Sequence, residues 1–381
     1  MTASGPAVPT AGRRWLVRGI FALAAVLSVV AIFSVWANRQ LLNTTSWADT
    51  NTKLLQNDAI RGQIAGFVTD ELFSSVDIAG QLQSGLPSRL QPLAAPASAA
   101  LRDLVEKGTN KALMRPKVQN LWRAANVVTH KQLVNLIEDR GRAIRLPGGG
   151  AVILDLRPLV GAAAERAGLP ASATAALPAD LARIRILKAD QLTSLQKIAK
   201  ALKSLAVVLP ILAVLLLMLA VWLSAGRRRE ALLWAGLLLV AAGLLVLIVR
   251  SLAGGQVVDA VAADAGVRPA ANAAWSIATS MLAEIAGAVI FMGVPLILAA
   301  LLAGPSRVAR DLRRRIAPVL ADRPELAYGA VAVALMLLLW WGPIPATRRV
   351  GWMLLFTFLA FFGMAMLRRQ TAAEGAEARS A

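Results

Sequence analysis

LWRAANVVTHKQLVNLIEDRGRAIRLPGGGAVILDLRPLV, residues 121–160, is the stretch whose reading decides the fold. Pro116 suits a first helical turn, and Val118, Leu121, Trp122, Ala125, Leu133 and Ile137 then recur with helical spacing. Beyond Arg142 the period changes from helical to alternating. Ile144 and Leu146 would face Val152, Leu154 and Leu156 across a Pro-Gly-Gly-Gly turn, as a half-buried hairpin requires. A lone hairpin is only marginally stable, and Ile184-Arg185-Ile186 offers a third strand with the same alternation. The stretch predicts a mainly helical α+β domain containing a small antiparallel sheet.

On both sides of this domain the chain turns apolar. Hydrophobic residues make up 57% and charged residues 17% of the 381, and mean hydropathy is +0.60. That is the balance of a mostly helical polytopic membrane protein, with the lipid bilayer as its main solvent. A net charge of +19 would point to nucleic acid in a soluble chain. Here many arginines stand directly beside apolar runs, as orientation signals do, so no nucleic-acid partner is expected. The absence of cysteine excludes disulfides, Cys-ligated zinc, thioether-linked haem and thiol catalysis. No cofactor and no metal is expected.

Read in order, residues 1–14 form a disordered cytoplasmic N-terminus. Residues 15–37 are a transmembrane anchor behind Arg13, Arg14 and Arg18, long enough to cross about 30 Å of hydrocarbon. Val35-Trp36-Ala37 loosely resembles a signal-peptidase site, but the apolar run exceeds the usual length of about 7 to 15 residues, which favours an uncleaved anchor. Residues 38–203 form the extracytoplasmic domain, with 22 Lys/Arg against 13 Asp/Glu, an excess of nine. Within it, Ile60, Ile64, Phe67, Val68 and Leu72 share a helical face, with Asn57 as N-cap and Asp58 favouring the dipole. Leu101, Leu104 and Val105 mark a second amphipathic helix. Asp190 is read as the N-cap of a helix that runs unbroken into the next span.

Residues 204–369 form a membrane domain of five helices, at about 205–224, 231–249, 275–302, 326–341 and 350–367. Arg227-Arg228-Arg229 and the six arginines Arg307, Arg310, Arg313, Arg314, Arg315 and Arg323 mark cytoplasmic segments, and residues 250–274 are read as a short external loop. About six transmembrane helices result, with both termini, including the tail 370–381, cytoplasmic. Arg348-Arg349 is a mild violation, and the last two short runs could instead form a re-entrant hairpin.

Few side chains carry chemistry. Glu284 lies about 13 Å below Trp275 on a regular helix, inside the apolar layer. It is read as a structural ion pair with Arg250, a proton or ion path, or a lipid head-group contact. His130 is the only histidine, without the companions a metal site needs, and is read as buried or capping. Glu138, Asp139 and His130 are the acid/base candidates should the domain be an enzyme. Asp155 and Arg157, two apart on a strand, share a face and could lock it to its neighbours. Gly148-Gly149-Gly150 opens a strand where a phosphate loop would open a helix, so it is read as a turn. Asn43-Thr44-Thr45 matches a glycosylation sequon by pattern alone.

At Leu41-Leu42-Asn43-Thr44-Thr45-Ser46-Trp47, Leu121-Trp122-Arg123-Ala124-Ala125-Asn126 with His130, Asp155-Leu156-Arg157-Pro158-Leu159-Val160 and Asp190-Gln191-Leu192, the chain resembles a group of uncharacterised actinobacterial integral membrane proteins. The resemblance runs from the anchor through the third span and is weak after Ala274. It implies an N-terminal anchor, an extracytoplasmic domain and a C-terminal helical membrane region. It also implies that Trp122, Asn126, His130, Asp155 and Asp190 recur. Asn126 and His130 share one helical face, which suits a buried polar network or a small binding groove.

These residues lead to the expectation of a non-enzymatic, multi-pass cell-membrane protein. Its external domain would bind an envelope component and be rigidly joined to the membrane helices. Anionic lipids, acidic envelope polymers or another membrane protein are the partners that fit. A transporter or lipid-translocation component using Glu284, and an envelope enzyme, are the alternatives.

Overall fold

The computed structural model describes residues 11–75, 78–85, 87, 89–138, 152–155, 183–187, 189–224, 227–262 and 264–304, with 325, 329, 332 and 333 besides. Ten α-helices are described: α1 (Ala11–Leu42), α2 (Thr44–Gln56), α3 (Asp58–Ser75), α4 (Ile78–Gly85), α5 (Ala94–Met114), α6 (Pro116–Ile137), α7 (Ala189–Leu223), α8 (Arg228–Val261), α9 (Arg268–Ala278) and α10 (Ser280–Leu302). Four of them are long and apolar enough to cross a membrane, over Gly12–Leu42, Thr193–Leu223, Arg228–Val261 and Ser280–Leu301. The chain is a mostly helical, membrane-embedded protein.

The expected α+β class is corrected. The interpretable part of the chain is 93% helical, and a sheet is no part of its core. Val152–Asp155 does not meet Ile144 and Leu146 in a described hairpin. It lies antiparallel to Arg183–Leu187, nine residues in all with an irregular register between Val152 and Ile153. Two such short segments make no layer on which helices could pack. The physical reason is that alternation of apolar residues signals a strand only where a third partner supplies a face to bury, and helices supply the packing instead. Ile144, Leu146, the glycine turn, Leu156, Arg157 and Asp139 lie outside the described residues, as do the runs 326–341 and 350–367 apart from positions 329, 332 and 333.

The chain divides into two compact units. One holds residues 37–204 with 251–280, the other residues 1–36, 205–250 and 281–381. In the first, α2 packs on α6, α3 on α5, and α9 lies across α2 and α3. Local signals set the joints. Asn57 Oδ1 accepts from the backbone N–H of Ala59 and Ile60 at 3.1 and 3.3 Å and caps α3. Pro116 opens α6. Asp190 falls within the first turn of α7, one residue inside the helix rather than before it.

Two expectations for this unit are corrected by its packing. In α3 the buried face is Arg61, Ala65 and Thr69, while Phe67, Val68 and Leu72 are exposed. An arginine with buried carbonyls to bond has displaced the apolar stripe from the interior. The segment 250–274, expected to be a loop, is largely helical, because α8 continues to Val261 and α9 begins at Arg268. Gly254 lets Trp275 of α9 come close to α8, since a Cβ there would stand 2.5 Å from Trp275 Nε1.

The membrane unit is built on small residues. Ala24, Ala235 and Leu217 form one buried cluster, and Ile32, Val246, Leu282 and Ala286 another. Gly236 and Gly243 on α8 meet Gly293 and Ala286 on α10, each pair seven residues apart, so the two backbones come close. A Cβ at Gly293 would lie 2.6 Å from the Gly236 carbonyl oxygen, whereas one at Gly287 would meet nothing within 4 Å. Gly293→Ala is therefore expected to lower the detergent-solubilised protein's stability by about 1–3 kcal/mol. Gly287→Ala should leave it unchanged or raise it by up to about 1 kcal/mol. Thermal unfolding of the two variants checks both.

Candidate functional site

The stretches 41–47 and 121–130, far apart in the chain, meet where α1 ends, α2 begins and α6 passes. Asn43 caps α2, its Oδ1 accepting from Ser46 N–H at 2.9 Å. The cap turns the chain so that Thr44 and Trp47 face α6. His130 is 3% exposed. Its ring stacks on Trp47, centroids 4.9 Å apart and planes 20° from parallel. Nε2 stands 3.3 Å from the Leu41 carbonyl oxygen and Nδ1 3.1 Å from Thr44 Oγ1. A carbonyl only accepts, so Nε2 carries the proton and donates, and Nδ1 accepts from the Thr44 hydroxyl. The neutral imidazole is thereby satisfied at both nitrogens.

The neighbouring candidates extend this joint. Trp122 Nε1 donates to the Asn51 carbonyl at 3.0 Å, and Arg123 pairs with Asp49 at 2.6 Å. Asn126 donates to the Trp122 carbonyl of its own helix at 2.9 Å. Trp122, Asn126 and His130 thus lie on one side of α6, with Trp122 and His130 reaching across to α2 and the end of α1. Asp155 ends its extended segment opposite Arg183 in register, away from any described bond to this joint. Arg157 lies outside the described residues.

Sequence reasoning passed over a second hub. Arg61 is 4% exposed. Its guanidinium donates to Asn110 Oδ1 at 2.8 Å, to the Leu55 and Gln56 carbonyls at 3.4 and 3.1 Å, and pairs with Asp58. One side chain closes the end of α2 and ties α3 to α5. The signal was an arginine three residues into a helix that is separated from the previous one by a single residue. Glu138, a candidate acid, is nearly buried and paired with Lys203 of α7, while Gln196 donates to the Leu136 carbonyl at 3.2 Å. Those contacts fasten the end of α6 to α7.

Glu284 stands apart from all of these. The helix is interrupted at Thr279, so Glu284 lies about 6 Å along α10 from Ser280 and is exposed, not 13 Å down an unbroken helix from Trp275. No ion pair with Arg250 occurs among the described residues, and Arg250 has interactions of its own. Among the described residues no group of three His, Asp or Glu could hold a metal ion.

Burial pushes the His130 imidazole below its usual 6.5, with the bond to the Leu41 carbonyl working against it. The folded value lies under the unfolded one, so the unfolded chain binds more protons in between. The stability of this joint is complete above about pH 6.5 and is lost as pH falls through the folded value. Because the chain has one histidine, its labelled imidazole gives a single NMR signal. The expected midpoint is below 6.5, and a midpoint at or above 6.5 would contradict the assignment. His130→Ala should cost about 1–3 kcal/mol by stranding the Leu41 carbonyl and opening space beside Trp47, measurable as a lowered Tm. No family model, curated protein or solved structure matches the chain.

Proposed function

We propose that the chain is a non-enzymatic, multi-pass protein of the cell membrane whose helical unit, residues 37–204 with 251–280, lies outside the cytoplasm and binds an anionic component of the envelope. The N-terminal arginines and Arg227-Arg228-Arg229 favour a cytoplasmic position for those segments, which sends the unit to the other side. The two candidate acid/base groups among the described residues are engaged internally: His130 as a satisfied neutral ring and Glu138 in an ion pair with Lys203. That favours a binding module over a catalyst.

The observation that carries the reading is the corner between α5 and α6. Residues 107–117, KGTNKALMRPK, hold four cations and no acidic residue. Lys107, Lys111, Arg115 and Lys117 are all exposed, with Met114 exposed among them. Lys107 is paired with Asp103 at 2.7 Å, whose hydrogen bond and charge hold its ammonium above the usual range, while Lys111, Arg115 and Lys117 have no ion-pair partner among the described residues. Such a corner attracts phosphate or carboxylate polymers and anionic lipid surfaces, and gives apolar contact as well. Three helices, α1, α7 and α8, continue from this unit into apolar spans without a helical break. A bound component would therefore be coupled to the membrane helices through helical backbone rather than a flexible linker.

Full-length protein in neutral-lipid nanodiscs is expected to bind a soluble polyglycerol phosphate, with affinity falling as salt rises. Combined Lys111→Gln, Arg115→Gln and Lys117→Gln should weaken it on the order of a hundredfold, at about 1 kcal/mol per cation. Binding that ignores both salt and these substitutions would remove the reading.

A further inference from the structure

The two basic clusters that orient the chain also build a cavity. It measures about 420 Å³ and lies wholly within the membrane unit, between the start of α1, the end of α7 and the start of α8. That size falls within the roughly 300–1,000 Å³ typical of small-molecule sites. On α1 the lining residues are Arg13, Arg14, Val17, Arg18, Phe21 and Ala22. They form one helical stripe that is cationic at the helix end and apolar two turns further in. At the start of α8 the same order repeats, from Arg227, the residue before the helix, to Trp234 and Leu238.

The electrostatics are one-sided. Arg227 pairs with Glu230, and the Arg18 guanidinium lies 5.4 Å from the centroid of the Trp15 ring. Among the described residues neither Arg13 nor Arg14 has an ion-pair partner. The third arginine of the second cluster has a different task, since Arg229 Nε donates to the Ala300 carbonyl at 2.8 Å. Trp15, Trp222 and Trp234 are 70%, 68% and 58% exposed around the same helix ends. Exposed tryptophans at the ends of apolar helices mark the head-group level of a bilayer. An anion held here would therefore sit at lipid depth, with apolar wall beneath it for a chain.

We infer that this cavity binds the head-group phosphate of an anionic phospholipid, with Arg13 and Arg14 as its principal cations and Phe21 and Leu238 against the acyl region. Basic pockets between membrane helices recognise anionic head groups by this combination of charge and depth. A free phosphate metabolite would need the same cations but would gain nothing from the apolar floor. The inference concerns the membrane unit alone and stands whether or not the α5–α6 corner binds a polymer.

The test is retention of phosphatidylglycerol by the full-length protein, read by native mass spectrometry after exchange from mixed phosphatidylglycerol and phosphatidylcholine nanodiscs. The wild type should retain phosphatidylglycerol in preference to phosphatidylcholine. Arg14→Gln should weaken retention about fivefold, and Arg13→Gln with Arg14→Gln about twenty-five-fold. Arg13→Lys with Arg14→Lys should keep most of it. Lys197→Gln with Lys200→Gln, an equal loss of charge on exposed residues toward the start of α7, should change nothing. Arg14 is exposed, so Arg14→Gln alone keeps the test decisive if the double variant does not fold. Equal retention by wild type and Arg14→Gln would overturn the site. Displacement of the lipid by millimolar inorganic phosphate or glycerol phosphate would overturn the assignment to a lipid in favour of a soluble phosphate.

Discussion

A helix leaves its last four carbonyls without partners, and in this chain those ends are closed by side chains reaching in from elsewhere. His130 donates to Leu41 at the end of α1, Arg61 to Leu55 and Gln56 at the end of α2, and Gln119 to Met114 at the end of α5. Gln196 donates to Leu136 at the end of α6, and Arg229 to Ala300 at the end of α10. Except at the exposed Met114, each bond spares a carbonyl the cost of burial without a partner, about 1–3 kcal/mol. Each also fixes where the next helix stands. The helical unit depends on this, because among the described residues only one of its apolar side chains of leucine size or larger, Leu55, is almost completely buried. Polar closure does here what a large apolar core does in a bigger domain.

The membrane unit solves the opposite problem. Lipid offers helices no hydrophobic drive toward one another, so association rests on close backbone approach. Gly236, Gly243, Ala286 and Gly293 supply it between α8 and α10, and Ala24 and Ala235 lie together in a second cluster. Arginines are then left for the helix ends, where they divide their labour. Arg229 closes a carbonyl, Arg227 pairs with Glu230, and Arg13 and Arg14 face a cavity. Arg13, Arg14, Arg18 and Arg227 thus come to line a common cavity once the helices are assembled.

What the sequence made legible was local. The spans before residue 303, the Asn57 cap and the Pro116 start follow from composition and from one or two neighbouring residues. The inward face of α3 was not legible, because periodicity reports where apolar residues lie and not which carbonyls need a donor. Arg61 won that contest over Phe67 and Leu72. The α+β class failed for a related reason, since alternation in a short stretch says nothing about whether other strands will pair with it. The break at Thr279, which moves Glu284 toward the end of its span, had no marker beyond a Thr-Ser pair. At the candidate site, the shared face of Asn126 and His130 was readable from their spacing. Their meeting with Thr44, Trp47 and the Leu41 carbonyl joins residues more than eighty positions apart, and only the folded chain reveals it.

The proposed function requires one chain divided between two solvents, with the helical unit on the outer side and the basic helix ends on the inner one. The chain has no cysteine, so a single introduced thiol reports its own position without background. Ser74→Cys, on an exposed residue of α3, and Arg228→Cys, on an exposed residue at the start of α8, give the most direct measurement, using a membrane-impermeant maleimide on intact cells. The account predicts that Ser74→Cys is labelled in intact cells and Arg228→Cys only after permeabilisation. Labelling of Arg228→Cys in intact cells, or protection of Ser74→Cys until they are opened, would contradict it.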